Sequence, residues 1–169
     1  MKRYKTIICL LLCIFTSNVA FGYKTRNVVI LVIDGARYSE TFGDSTHKYI
    51  PFMWNKLRPL GTIYTNFYNE KMTKTCSGHS TILSGSWQEV MNDGSERPDK
   101  PTVFEYYRKE TDAPEQKCAV ILGKDKLSML SYSDHADYSA QFGAKVFYGD
   151  NNKDDINTWE NTRNVLKTY

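Results

Sequence analysis

Residues 27–33 read NVVILVI and stop abruptly at Asp34-Gly35. The run is β-branched and apolar with no polar alternation, which suits a strand covered on both faces rather than one facing water. A strand of that kind needs layers above and below it. The expected class is therefore α/β, with a layered sheet of mostly parallel strands and helices on both faces.

The rest of the chain supplies candidate layers. Residues 51–60, PFMWNKLRPL, carry Phe52, Leu57 and Leu60 for one helical face, with Pro51 suited to the first turn and Gly61 to the stop. Residues 62–68 are rich in Thr, Ile, Tyr and Phe and predict a second strand. A short helix is expected over 77–83, with Ser77 as its cap and Gly85 just past its end. A further helix is expected over 101–109, with Thr102 as its cap. Strands are expected at 117–122, ended by Gly123, and at 144–148, and a last helix at 156–167. Strands alternating with helices gather ligand chemistry at the strands' carboxyl ends.

The N-terminus reads as a separate segment. Lys2, Arg3 and Lys5 precede an apolar run over 6–16, and Ala20-Phe21-Gly22 puts small residues before Tyr23. That is the layout of a secretory signal peptide over 1–22, with an apolar core much shorter than the roughly 20 residues that span a bilayer. The expected product is exported, periplasmic or extracellular, with 23–169 left as one domain. Cleavage takes the chain from +3, with 22 basic and 19 acidic residues, to formal neutrality. Nothing in that balance points to nucleic acid, or to a membrane once the signal is gone. Cys76 and Cys118 remain, and an oxidising compartment allows a bridge between them without requiring one.

Two places carry candidate chemistry. Asp34 directly follows the first expected strand, where a carboxylate is a hard ligand for a divalent cation; its plainer reading is a turn residue beside Gly35. The second place is residues 73–80, TKTCSGHS, where hydroxyls crowd the start of an expected helix. A helix N-terminus favours phosphate or sulfate groups, and a threonine hydroxyl becomes a useful nucleophile once a metal or base removes its proton.

Together, the strand followed by Asp34-Gly35-Ala36-Arg37, the box Thr75-Cys76-Ser77-Gly78-His79 and the pair Ser84-Gly85 resemble the alkaline phosphatase superfamily. The group most resembled holds type I phosphodiesterases/nucleotide pyrophosphatases and threonine-nucleophile alkaline phosphatases, with sulfatases as relatives. The likeness covers roughly 27–110, where residues 61–67, GTIYTNF, are similar to the strand entering the box. It implies two divalent metal ions, zinc by preference, with Asp34 as a ligand of one and Thr75 as both nucleophile and ligand. It implies a small phosphate- or sulfate-ester substrate. His79 falls on the box histidine, expected to shape the loop rather than bind metal.

The sequence departs from that pattern after Ser84-Gly85, where SWQEVMNDGSER replaces the family's Pro and His-Gly steps. The family's substrate-contacting asparagine then has Asn92 as its candidate, with an ordinary loop asparagine as the alternative. The family's remaining aspartate and histidine ligands lie far downstream of this box, so the layered sheet is expected to be incomplete at its C-terminal end. The one Asp-His pair present, Asp134-His135, sits in a polar stretch too close to Thr75 and reads as loop. So does His47. Tyr64, Phe67 and Tyr68, and likewise Phe104, Tyr106 and Tyr107, read as core and rim, and Lys124-Asp125-Lys126 as a solvated turn. Two other readings accompany the hydrolase: a non-catalytic remnant that binds an oxyanion without turnover, and a phosphosugar mutase-like isomerase, against which export argues.

Overall fold

The computed structural model describes residues 25–151 and 153–168. The expected signal peptide over 1–22 lies outside the described residues. The chain divides into two compact units, Met1–Tyr64 and Thr65–Tyr169.

In the first unit the described backbone is built from short turns. A 3-10 turn at Tyr38–Glu40 is followed by a wider helical turn at Met53–Leu57 and another 3-10 turn at Arg58–Leu60. Pro51 does open this helical stretch and Gly61 ends it. Trp54 organises the segment: His47 stacks on it with ring centroids 3.4 Å apart, and the Arg58 guanidinium lies 4.1 Å from its ring. His47, expected as plain surface loop, is thus half-buried in a stack and holds a left-handed backbone, φ 48°.

The expected strand over 27–33 does not form. Its residues carry no strand pairing, and Val28 and Leu31 are 77% and 75% exposed. Residues 62–68 form no strand either, and Tyr64, Phe67 and Tyr68 lie on the surface rather than in a core. β-branched and aromatic residues fit a pleated, half-buried surface, but a strand exists only where a neighbour takes its backbone groups.

The second unit holds the α/β fold. Strand β1 (Ala119–Leu122) pairs in parallel with β2 (Lys145–Tyr148), Val120 opposite Val146 and Leu122 opposite Tyr148. Three helices accompany them: α1 (Thr75–Ser84), α2 (Val103–Thr111) and α3 (Ile156–Thr168). The connection from β1 to β2 runs through 3-10 turns at Asp125–Ser131 and Ser139–Phe142. Helix α3 packs on both strands, and the Asp125–Ser131 turn packs on β1, β2 and α1. Between them lies one cluster of Cys76, Cys118, Val120, Leu122, Leu127, Met129, Leu130 and Ala144. Phe104 packs against its edge, while Tyr106 and Tyr107 stay exposed. Both cysteines are free thiols in this core, and burial raises the pKa of each.

Thr102 caps α2 as expected, through a full capping box with Glu105. The Glu105 carboxylate is completely buried. Its Oε2 accepts from the Thr102 backbone N–H (2.7 Å) and hydroxyl (2.9 Å). Its Oε1 accepts from the Ser133 N–H (3.0 Å) and hydroxyl (2.7 Å). One side chain therefore closes the helix start and ties down the segment entering β2.

Candidate active site

Helix α1 begins at Thr75, two residues before its expected start, and no side chain at Lys74 caps it. The cap comes from sixteen residues downstream: Asn92 Oδ1 accepts from the Cys76 backbone N–H at 3.1 Å. This satisfies one of the donors that a helix leaves open at its N-terminus. Gly85, in the left-handed conformation at φ 67°, ends the helix with its N–H on Thr81 O at 3.0 Å.

Ser77 is not the cap. It is 1% exposed on the inner side of α1, where its hydroxyl donates to Val90 O and accepts from Val90 N, each at 3.2 Å. One turn further along, Thr81 Oγ1 accepts from Gln88 N at 3.1 Å. Residues 88–92 thus run beside α1 as a strap hooked at alternate residues, Gln88, Val90 and Asn92. Its far end is held as well. Lys126 Nζ donates to Asn92 O at 2.9 Å, Gln88 Oε1 accepts from Asp99 N at 3.2 Å, and the Arg97 guanidinium donates to Met129 O at 3.0 Å while lying 3.5 Å from the Tyr132 ring centroid.

Thr75 is half-buried at the first helical position. Its carbonyl accepts from His79 Nδ1 at 2.7 Å, so Nδ1 carries a proton and the ring is held against the helix by a backbone partner. The charges nearby have readable causes. Burial pushes the Cys76 thiol up, with Lys126 and the Gly94 backbone N–H partly opposing it. The Ser95 hydroxyl and N–H hold the Asp93 carboxyl below the usual carboxylate range.

Thr75 and Asn92, candidates from separate stretches of sequence, therefore meet at one helix start. Asp34 belongs to the first unit, exposed in a turn with Gly35 at φ 71°. Asp134 and His135 lie in a loop, with Asp134 N on Pro98 O at 2.9 Å and His135 Nδ1 accepting from Asp137 N at 3.2 Å. Among the described residues no three His, Cys, Asp or Glu side chains are gathered so that they could hold a metal ion.

Sequence reasoning missed Ser77 as a latch, and it missed Lys126, which is half-buried against the strap rather than in a solvated turn. A signal for Ser77 does exist in the i, i+4 spacing of the hydroxyls at Ser77 and Thr81, which places both on one face of α1. Comparison with known proteins found no matching family model, no matching curated protein and no matching solved structure.

Proposed function

We propose that this chain carries the nucleophile of an exported, metal-dependent hydrolase of phosphate or sulfate esters. Thr75 is the nucleophile, Asp34 and Thr75 are ligands of one metal ion, and Asn92 contacts the substrate. The supporting observation is the bond from Cys76 N–H to Asn92 Oδ1. It fixes which end of the Asn92 amide faces the helix, leaving its NH₂ donors for an oxygen of an ester group beside Thr75. The positive end of α1 favours the same anion.

The chemistry follows from these parts. The Thr75 hydroxyl must lose its proton to attack phosphorus or sulfur, and a bound zinc ion, in the two-metal arrangement the resemblance implies, would supply the acidity for that. Asn92 orients the ester and offers hydrogen bonds to its non-bridging oxygens. His79, engaged by the Thr75 carbonyl, holds the first turn in shape.

Asp34 and Thr75 supply one carboxylate and one hydroxyl, where a catalytic zinc site takes about three protein ligands, and this bears on the activity of the chain. The chain is expected to bind zinc weakly and to hydrolyse nitrophenyl phosphate, bis-nitrophenyl phosphate and nitrophenyl sulfate at no measurable rate. The check is an assay of purified chain with added zinc beside a Thr75→Ala control. Activity lost in the control would show a complete ligand set and bring Asp134 and His135 forward as metal ligands. A second reading is an oxyanion-binding remnant without turnover, since among the described residues no three metal-ligating side chains gather. Export has its own check. Intact mass of secreted protein is expected to begin at Tyr23, and full-length chain retained in the membrane fraction would contradict it.

A further inference from the structure

The strap over 88–92 has few backbone bonds of its own and is held to α1 by side chains. Of these, Ser77 makes two bonds where the others make one, because its hydroxyl serves both the donor and the acceptor of Val90. Val90 lies two residues before Asn92, and Ser77 follows Cys76, whose N–H Asn92 caps. With the Val90 backbone fixed on Ser77, Asn92, two residues on, has little freedom to shift along the helix. The register of the strap along α1 is therefore set at Ser77, and a slip there would carry Asn92 away from Thr75. Ser77 is 1% exposed, and its hydroxyl is engaged by Val90 on both sides.

We propose that Ser77 is a positioning residue, whose hydroxyl holds the strap in the register that puts the Asn92 amide beside Thr75 for an anionic ester. This rests on the reading of Thr75 and Asn92 as the ester site. Ser77 acts only through Asn92, and Thr81 supports it from the next turn.

The test is hydrogen exchange at the Cys76 amide, which reports the Asn92 bond directly, together with titration of sodium tungstate in the presence of zinc. In Ser77→Ala the Cys76 amide is expected to exchange about tenfold faster or more, with the amides of α2 and α3 unchanged. Tungstate is expected to bind at least about fivefold more weakly. Asn92→Ala should reproduce both effects with Ser77 intact, and Ser77→Thr, which keeps the hydroxyl, should restore most of the protection. If Ser77→Ala unfolds the unit, Thr81→Ala serves instead and is expected to raise Cys76 exchange a few-fold. Unchanged Cys76 exchange in the folded variant overturns the positioning role, whatever the wild type binds. A wild-type chain that takes up no tungstate, while Ser77→Ala still frees the Cys76 amide, overturns the ester-site reading beneath it.

Discussion

Replacement of Glu105 by alanine is expected to cost about 3–5 kcal/mol of stability, read as a shift in the urea midpoint. The carboxylate is fully buried and accepts from four donors, two on Thr102 and two on Ser133. Truncation leaves these donors without an acceptor, each at a cost of about 1–3 kcal/mol less whatever water recovers, and it opens the capping box of α2. Glutamine separates hydrogen bonding from packing. It keeps the shape but turns an NH₂ group toward donors, so Glu105→Gln is expected to lose about 2–3 kcal/mol. A glutamine variant as stable as the wild type would show that Glu105 contributes by filling space.

Gly94→Ala is the second large effect. Gly94 has φ 84°, and a Cβ there would stand 2.5 Å from Lys126 O, a backbone atom with little room to yield. The left-handed conformation alone costs an L-residue about 1–2 kcal/mol, and the clash adds to it, giving about 2–4 kcal/mol in all. The loss has a local signature. Lys126 also donates to Asn92 O, so separating the two loops should release the Asn92 cap and speed exchange at the Cys76 amide. A Gly94→Ala protein with wild-type stability and wild-type Cys76 exchange would show that the loops move apart without strain.

The parts of the fold legible in the sequence are those whose cause is local. Thr102 and Glu105 stand three apart and read as a cap because both partners lie within one turn. Gly85 and α3 announce themselves in the same way, by a left-handed stop and by a helical stretch. The strands at Ala119–Leu122 and Lys145–Tyr148 were legible as short apolar runs between turn residues. Residues 27–33 look a stronger strand than either, yet stay unpaired, because hydrophobicity gives a segment reason to be covered and not the neighbour that covers it.

The site divides along the same line. Thr75 and the hydroxyl-rich helix start were visible in the box itself. Asn92 was visible only through resemblance, since its meeting with Cys76 depends on the path of the strap. Ser77 looked like a cap because serine before a helix usually is one, but the downstream asparagine already fills that role and frees Ser77 to face inward. Lys126 looked solvated because its neighbours are charged, and its partner, the Asn92 carbonyl, lies 34 residues earlier. The four donors on Glu105 include two from Ser133, a pairing that no local pattern reports.

The proposal most open to a direct test is that Asp34 and Thr75 are ligands of one metal ion. Manganese tests it directly, since it favours the oxygen ligands these residues offer and broadens the NMR signals of nearby nuclei. The measurement is a ¹H–¹⁵N spectrum of the chain titrated with substoichiometric Mn²⁺, beside Asp34→Asn and Thr75→Ala variants. The expected result is joint broadening of the Asp34, Gly35, Thr75 and Cys76 amides, lost together in either variant. Broadening at one pair alone, or at other carboxylates with both pairs untouched, would contradict it.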